Sequence, residues 1–125
     1  MRSKIEQIEQ EKLVKWLEYN LYTFTAIPLD TYTPSFAQKV KNKKIGVRAG
    51  FPDLCVILKR KSLLFIEMKL PKKQLKNWKL STSNSKVSDY QKAWVEKLNE
   101  LQNVEAFVAY WSDEAINIIN TLENL

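Results

Sequence analysis

The residues of this chain best suited to catalysis are two carboxylates and a lysine. They occur as Pro52-Asp53 and, after thirteen intervening residues, Glu67-Met68-Lys69. Alternation along a β-strand would place Glu67 and Lys69 on one face and Met68 on the other. If the strand after Asp53 pairs with the strand of Glu67 as a hairpin, the two carboxylates meet. Because they would repel each other, a divalent cation would stabilise the pair, and all-oxygen ligands favour Mg²⁺ or Mn²⁺.

Lys69 extends this pattern beyond a metal site. A lysine two residues from a metal-binding carboxylate can hold or activate a water molecule, or stabilise the negative charge of a phosphorane-like transition state. Pro-Asp and Glu-x-Lys are both common sequences, however. The spacing alone leaves open a structural alternative, in which Glu67 and Lys69 form a partly buried salt bridge and Asp53 caps a turn.

The residue types that are missing or rare exclude several other chemistries. The chain has no histidine and a single cysteine, Cys55. It therefore cannot use a Ser-His-Asp or Cys-His nucleophile, a histidine-ligated zinc ion or an imidazole general base. Cys55 cannot form an internal disulfide, and we expect it to be a small apolar core residue.

The start of the sequence and its apolar runs bear on location. Residues 1–6 lack the apolar stretch of a signal peptide, and the longest apolar runs have the length of strands. The lone cysteine fits a reducing compartment. We therefore expect an intracellular protein, cytoplasmic or nucleoid-associated, that is neither secreted nor bound to a membrane. A small domain of this kind would suit a phage or mobile element.

Positive charge is concentrated in the middle of the chain. The protein has 125 residues, of which 20 are basic and 14 acidic, for a net charge of +6. Residues 39–86 contain 14 of the basic residues but only two acidic ones, Asp53 and Glu67. This segment indicates a polyanionic partner, although a solvated lysine-rich surface would have the same composition. The two carboxylates border or lie within the most apolar segments, where an isolated charge is costly.

The apolar pattern predicts a single α/β domain over residues 1–125. Helices are predicted over Ser3–Tyr19 and Ala37–Lys44, and from Ser88 onward, where Ser88-x-x-Gln91 matches a capping box. Strands are predicted over Leu54–Leu58 and Leu63–Met68 as a hairpin, and over Val104–Trp111. Ser112-Asp113-Glu114 is expected to cap a final helix, Tyr22–Phe36 to form a strand or extended loop, and residues 70–86 to form a basic mobile loop.

The tryptophans lead to two expectations. Trp16 and Trp94 recur at helical spacing with other apolar residues, so we expect both in the core. Trp78 lies among lysines in Lys76-Asn77-Trp78-Lys79, where it would either stack on a nucleobase or pack locally.

Two segments carry a resemblance to a known family: GVRAGFPDLCVI at residues 46–57 and LFIEMK at residues 64–69. They resemble the VRR-NUC family of the PD-(D/E)XK nuclease superfamily. Further similarities are Glu6-x-x-x-Gln10-x-x-Leu13-Val14-x-Trp16-Leu17, Ser88-x-x-Gln91-x-x-Trp94-x-x-x-Leu98, the segment Glu105–Tyr110, and Asp113-Glu114-Ala115. The resemblance covers nearly the whole chain. The loop of residues 70–86 is longer and more basic than expected, and Asn103-Val104 stands where a glycine is common.

The resemblance implies a restriction-endonuclease-like α/β fold, with a central mixed β-sheet flanked by helices. It implies that Asp53 and Glu67 bind the metal ion, together with the backbone carbonyl of Met68. Lys69 would position the attacking water, and Gln91 would support the site by hydrogen bonding. Glu6 would be a further metal or water ligand, with Glu9 as its rival because it also borders the apolar stripe of the first helix.

The activity that the resemblance implies is Mg²⁺- or Mn²⁺-dependent hydrolysis of DNA, selective for branched structures such as Holliday junctions or flaps. One site in a small chain favours a homodimer, because paired incisions need two sites. Expected nucleic-acid contacts are Lys39, Lys41, Lys43, Lys44 and Arg48, with Lys72, Lys73, Lys76 and Trp78 in the basic loop. A non-catalytic nucleic-acid-binding module on the same fold is the main alternative, and a ribonuclease is a weaker one.

Overall fold

The computed structural model of the chain describes residues 4–28, 35–69 and 87–125. Its helices are α1 (Lys4–Tyr19), α2 (Phe36–Lys44), α3 (Asp89–Asn99) and α4 (Trp111–Glu123). Its strands are β1 (Thr23–Ala26), β2 (Leu54–Ile57), β3 (Leu63–Lys69) and β4 (Val104–Tyr110). The predicted loop of residues 70–86 lies outside the described residues. None of the helices within the described ranges is both long and apolar enough to cross a membrane.

The four strands form one mixed sheet in the order β1-β2-β3-β4. β2 pairs antiparallel with both β1 and β3, and the predicted hairpin places Leu54 opposite Ile66. β4 lies parallel to β3, because the chain returns through α3 before β4 begins. The expected α/β class and the central mixed sheet flanked by helices are thereby confirmed.

Each face of the sheet is covered by different helices. On one face, Ile66 and Met68 of β3 pack in a core with Leu13 and Leu17 of α1 and with the buried side of α4. On the other face, Phe65 packs with Leu98 of α3 and Ala106 of β4. Since side chains alternate along a strand, Glu67 and Lys69 belong to the same face as Phe65, the face that α3 covers.

Helix α4 is held in place at both of its ends. Near its first turn, Glu9 Oε1 of α1 accepts hydrogen bonds from the backbone N and the Oγ of Ser112, at 2.9 and 3.2 Å. At the other end, Glu123 accepts from the Tyr22 hydroxyl at 2.8 Å and from two backbone N–H groups of the β2–β3 turn. Both helices therefore begin at the end of the sheet where β3 and β4 finish.

The predicted cap of the last helix is wrong. Helix α4 begins at Trp111, and its N-cap residue is Tyr110. The Tyr110 side chain forms no capping hydrogen bond with the helix. Ser112 is instead buried in the first turn, where the carboxylate of Glu9 accepts its backbone N–H. Glu9 thus replaces a local capping residue, since it satisfies an N–H that has no partner within the helix.

Helix α2 stands apart from the sheet. None of its residues is buried, and Phe36 is 80% exposed. The helix ends before Gly46, which has a φ of 95°, a conformation that glycine adopts readily. Arg48 closes this end by donating hydrogen bonds from Nη1 to the backbone carbonyls of Lys43 and Val47.

Candidate active site

Asp53 and Glu67 lie opposite each other at one end of the sheet. The register of β2 and β3 pairs Leu54 with Ile66, and its continuation by one residue pairs Asp53 with Glu67. Asp53 is fixed there by its backbone: its N–H donates to the carbonyl of Ile66 at 3.0 Å, and its carbonyl accepts from Ile27 at 2.7 Å. Asp53 Oδ2 also accepts from the backbone N of Met68 at 2.8 Å, which binds this carboxylate to the residue that follows Glu67.

Gln91 connects Glu67 to helix α3. Gln91 Nε2 donates a hydrogen bond to Glu67 Oε1 at 2.6 Å, and the Glu67 side chain is buried. The Oε1 atom of the same amide accepts from the backbone N of Ser88 at 2.9 Å, while Ser88 Oγ accepts from the backbone N of Gln91. The predicted capping box is confirmed, and Gln91 uses its other amide atom to reach Glu67.

The loop that leads to Asp53 packs closely against the start of α3. A Cβ atom on Gly50 would lie 2.6 Å from the carbonyl carbon of Tyr90 and 2.8 Å from the backbone N of Gln91. Trp94 Nε1 donates to the carbonyl of Ala49 at 3.0 Å, and its ring meets that of Phe51 edge to face. This close packing fixes Asp53 and Gln91 relative to each other.

Lys69 and Met68 differ in their surroundings. Lys69 is half-buried at the end of β3, two residues from Glu67 and on the same face of the sheet. Its register neighbour on β4 is Tyr110, which places a phenol next to the predicted catalytic lysine. The side chain of Met68 is buried in the opposite core, so only its backbone belongs to the site. The alternating pattern of residues 104–111 was the signal from which Tyr110 could have been placed here.

A protein-family model of the VRR-NUC domain matches residues 4–113. The chain belongs to the VRR-NUC family. This family is part of the PD-(D/E)XK superfamily, and its members are generally nucleases that act with divalent metal ions.

A solved structure supports the VRR-NUC assignment. The chain is similar to a "VRR_NUC domain protein", with a TM-score of 0.65 and 25% sequence identity over 100% of this chain and 93% of that one. No curated protein matches the sequence.

The first helix of this VRR-NUC domain carries both candidate acidic ligands, Glu6 and Glu9, and their surroundings in the structure differ. Glu9 is buried and occupied, because it accepts hydrogen bonds from Ser112 and pairs with Lys12 at 2.8 Å. Burial by itself would raise the pKa of the Glu9 carboxyl, but these hydrogen bonds outweigh it, and the pKa is lowered. Glu6 is only half-buried in the first turn of α1. Its role as a ligand stays a prediction.

The VRR-NUC residues expected to contact nucleic acid lie partly within the described chain. Lys39, Lys41, Lys43 and Lys44 are exposed on α2, and Arg48 follows it closely. The chain between this basic helix and Asp53 is only the short loop that packs on α3. Lys72, Lys73, Lys76 and Trp78 lie outside the described residues. The tryptophans expected in the core, Trp16 and Trp94, are each half-buried and pack at its edge.

The donor set of this VRR-NUC site fits a hard divalent cation. Asp53 and Glu67 lie opposite each other in the continued register of the two strands, and both offer carboxylate oxygens. Within residues 4–28, 35–69 and 87–125, no three His, Cys, Asp or Glu side chains gather at one point. Two carboxylates suffice for Mg²⁺, which usually keeps several water molecules and binds substrate phosphate as well. Glu6 is not gathered with this pair.

Proposed function

We propose that this protein is an endonuclease that hydrolyses phosphodiester bonds of DNA by direct attack of water and depends on Mg²⁺ or Mn²⁺. The observation that carries the proposal is the pairing of Asp53 with Glu67 across the β2–β3 register. Two carboxylates held opposite each other beside a lysine form a site for a cation and a phosphate, and membership of a nuclease family supports the same chemistry.

Asp53, Glu67 and the backbone carbonyl of Met68 would hold the metal ion. When bound, the ion would polarise the scissile phosphate and offset the charge that develops on it. The protein's own part is to fix the two carboxylates before substrate arrives: the backbone N of Met68 orients Asp53, and Gln91 Nε2 orients Glu67. Such preorganisation avoids the cost of moving charges during the reaction.

Lys69 acts on the water and on the phosphate oxygens. Its ammonium group shares a face with Glu67, so it can donate a hydrogen bond to the attacking water and attract the negative charge that builds up. No histidine exists to take this role. Glu6, at the start of α1, is proposed to hold a further water at the edge of the site.

The proposal also covers substrate form and assembly. Branched DNA, such as a Holliday junction or a flap, is proposed as the preferred substrate, and a homodimer as the unit that makes paired incisions. The lysines of α2 would contact phosphates without reading sequence, so the shape of the DNA would decide where the enzyme cuts.

A second candidate function is nucleic-acid binding without cleavage. It is favoured by α2, whose exposed lysines would bind a phosphate backbone whether or not the carboxylates hold a metal ion. This alternative predicts tight, salt-sensitive binding that EDTA does not alter, and no cleavage.

The experiment that separates the two candidates uses labelled duplex, flap, four-way and single-stranded DNA, with an RNA of the same sequence. Each is incubated with Mg²⁺, Mn²⁺ or EDTA. Cleavage is expected with metal ion, and Asp53→Asn, Glu67→Gln and Lys69→Met should each reduce it by about 10²-fold or more. Glu18→Gln, on an exposed position of α1, is the control. Binding without cleavage by the wild type in every metal would overturn the enzyme proposal.

A further inference from the structure

Strand β4 forms one edge of the sheet. Within residues 4–28, 35–69 and 87–125 it pairs with β3 alone, and the opposite edge is β1. β1 has four residues, whereas β4 has seven. A long edge strand presents a row of backbone N–H and C=O groups to which a second chain can add a strand, and a short one offers far fewer. β4 is therefore the edge at which this sheet could grow.

The sequence of β4 favours such pairing. Its residues, VEAFVAY, are β-branched, aromatic or small and apolar except for one glutamate, and neither proline nor glycine occurs among them. Segments of this length and composition are typical of strands that pair between chains. The single charge, that of Glu105, is paired with Arg60 of the β2–β3 turn. β4 thus lacks the lysine or proline with which edge strands commonly resist pairing.

The backbone groups of β4 point alternately towards β3 and towards the open edge. The carbonyl of Asn103, just before the strand, accepts from the backbone N of Leu63 on β3 at 2.8 Å. The odd-numbered residues of β4 share this direction, because successive residues of a strand direct their N–H and C=O groups to opposite sides. The groups of Val104, Ala106 and Val108 therefore point to the open edge.

Asn99, the last residue of α3, occupies the open edge at Ala106. Its Nδ2 donates to the Ala106 carbonyl at 2.9 Å, and its Oδ1 accepts from the Ala106 backbone N at 2.8 Å. One side-chain amide makes the pair of hydrogen bonds that a residue of a neighbouring strand would make. Asn99 is exposed, and asparagine is a weaker helix former than alanine, so neither burial nor helix stability accounts for this residue.

We propose that Asn99 closes the edge of β4 against a second copy of this chain. Both hydrogen bonds to Ala106 must break before another strand can pair along β4, and the amide occupies the space of the incoming backbone. The homodimer included in the proposed function would then form through another surface. The inference concerns assembly of the chain and does not depend on the nuclease activity.

The test replaces Asn99 and follows self-association of the full chain by sedimentation velocity over a range of concentrations. Asn99→Ala removes both bonds, while alanine favours the helix. Asn120→Ala is the matched control, because it makes the same substitution at an exposed position of α4. Ser88→Ala weakens the other end of α3 and controls for association that follows from lower stability alone.

Asn99→Ala is expected to form larger species at concentrations about 10-fold lower than the wild type, because two hydrogen bonds to Ala106 no longer compete with those to a second copy. Asn120→Ala and Ser88→Ala should sediment as the wild type does. Adding Val108→Pro to Asn99→Ala should reverse the association, since proline removes an N–H on the open edge and leaves the bonds to β3 in place.

Hydrogen exchange gives a second measurement, which does not depend on the proline variant. In dilute Asn99→Ala, the Ala106 N–H should exchange about 2- to 10-fold faster than in the wild type. Association at higher concentration should then protect the N–H groups of Ala106 and Val108. The inference is wrong if Asn99→Ala sediments as the wild type does at every concentration, if Ser88→Ala associates equally, or if association leaves these N–H groups unprotected.

Discussion

Gln91 and Glu67 are joined by a hydrogen bond of 2.6 Å between the start of helix α3 and the end of strand β3. The direction of the bond is fixed, because the other atom of the amide, Oε1, accepts from the backbone of Ser88. Glu67 must therefore be the acceptor. One side chain both begins a helix and orients a carboxylate of the site.

Removal of this bond should reduce activity more than stability. Gln91→Ala is expected to lower cleavage by about 10- to 100-fold, as is typical when a residue that orients a metal ligand is lost. Ser88→Ala is the matched control, because it removes one cap bond and leaves Nε2 free to reach Glu67. It should cost about 1 kcal/mol of stability and little activity. Cleavage assays and urea unfolding of both variants test this expectation. Equal losses of activity in the two variants would contradict the orienting role of Gln91.

The two glycines of the chain provide a second pair of matched variants. Gly46 and Gly50 have φ angles of 95° and 93°, but only Gly50 lacks room for a Cβ atom. Gly46→Ala should cost about 1 kcal/mol from its backbone conformation alone. Gly50→Ala should cost about 2–4 kcal/mol, because the loop must also move away from Tyr90. Urea unfolding measures both, and a similar cost for the two substitutions would show that the contact with α3 is not tight.

The loop displacement should also affect the site. Asp53 is three residues from Gly50, so Gly50→Ala should lower cleavage at temperatures where the protein is still fully folded. Gly46→Ala should not.

Acid should destabilise the protein through two carboxyl groups, Glu9 and Glu123, that hold the two ends of helix α4 in place. Burial opposes ionisation of Glu9 and Glu123, but hydrogen bonds to each outweigh it and lower both pKa values from the ordinary 4.5. A lowered pKa adds stability that is complete above the ordinary value and is lost as pH falls through the folded-state value. The free energy of unfolding should therefore decrease as the pH is lowered below about 4.5.

Glu123→Gln isolates one of these two groups. It should cost about 1–2 kcal/mol at neutral pH, since three donors lose a charged acceptor, and should flatten the decline in acid. Urea unfolding from pH 7 to pH 3 measures both effects. Glu18→Gln, on the exposed side of α1, should leave the profile unchanged. An unaltered acid profile for Glu123→Gln would contradict the assignment.

Tyr22, the partner of Glu123, should respond at the other end of the pH scale. Burial, followed by the hydrogen bond to the Glu123 carboxylate, raises the pKa of Tyr22 to about 12. A raised pKa adds stability that is present below the ordinary value of 10.0 and is lost as pH rises towards 12. Tyr22→Phe should show a smaller loss between these values, which unfolding measured by far-UV circular dichroism can detect.

The lysines of α2 should control the salt dependence of DNA binding. Each phosphate contact that is lost should reduce the slope of log K against log salt by about 0.9, so Lys41→Gln with Lys44→Gln should reduce it by about 1.8. Lys15→Gln with Lys97→Gln makes the same change of charge on α1 and α3 and should alter the slope much less. Binding titrations in Ca²⁺ at several salt concentrations measure this, and equal slopes for the two double variants would contradict a contact at α2.

The local parts of the site could be predicted from the sequence. Alternation and apolar content identify the β2–β3 hairpin, and a hairpin must bring Asp53 near Glu67. The spacing of Ser88 and Gln91 identifies the start of α3. Both features depend on residues close together in the chain, where local stereochemistry decides the structure.

The parts that depend on distant contacts could not be predicted. The cap of α4 comes from Glu9, which is about a hundred residues away, so Ser112 was the natural but wrong choice. Trp111 adopts a φ of 73°, in the left-handed region, which contradicts the local preference of a bulky residue. The tight packing of Gly50 on Tyr90 likewise needs the docked position of α3, which no spacing reveals.

Gln91 both caps helix α3 and orients Glu67, so the docking of α3 during folding also completes the arrangement of the candidate site. Asp53, Glu67 and Lys69 all precede α3 in the chain, so a polypeptide emerging from the ribosome holds its acidic pair before it holds the amide that aligns Glu67. Under the proposed function, such an immature copy would be a poor catalyst until α3 docks. Under that function, this order of assembly would limit the damage that unfinished or partly unfolded copies of the protein inflict on DNA.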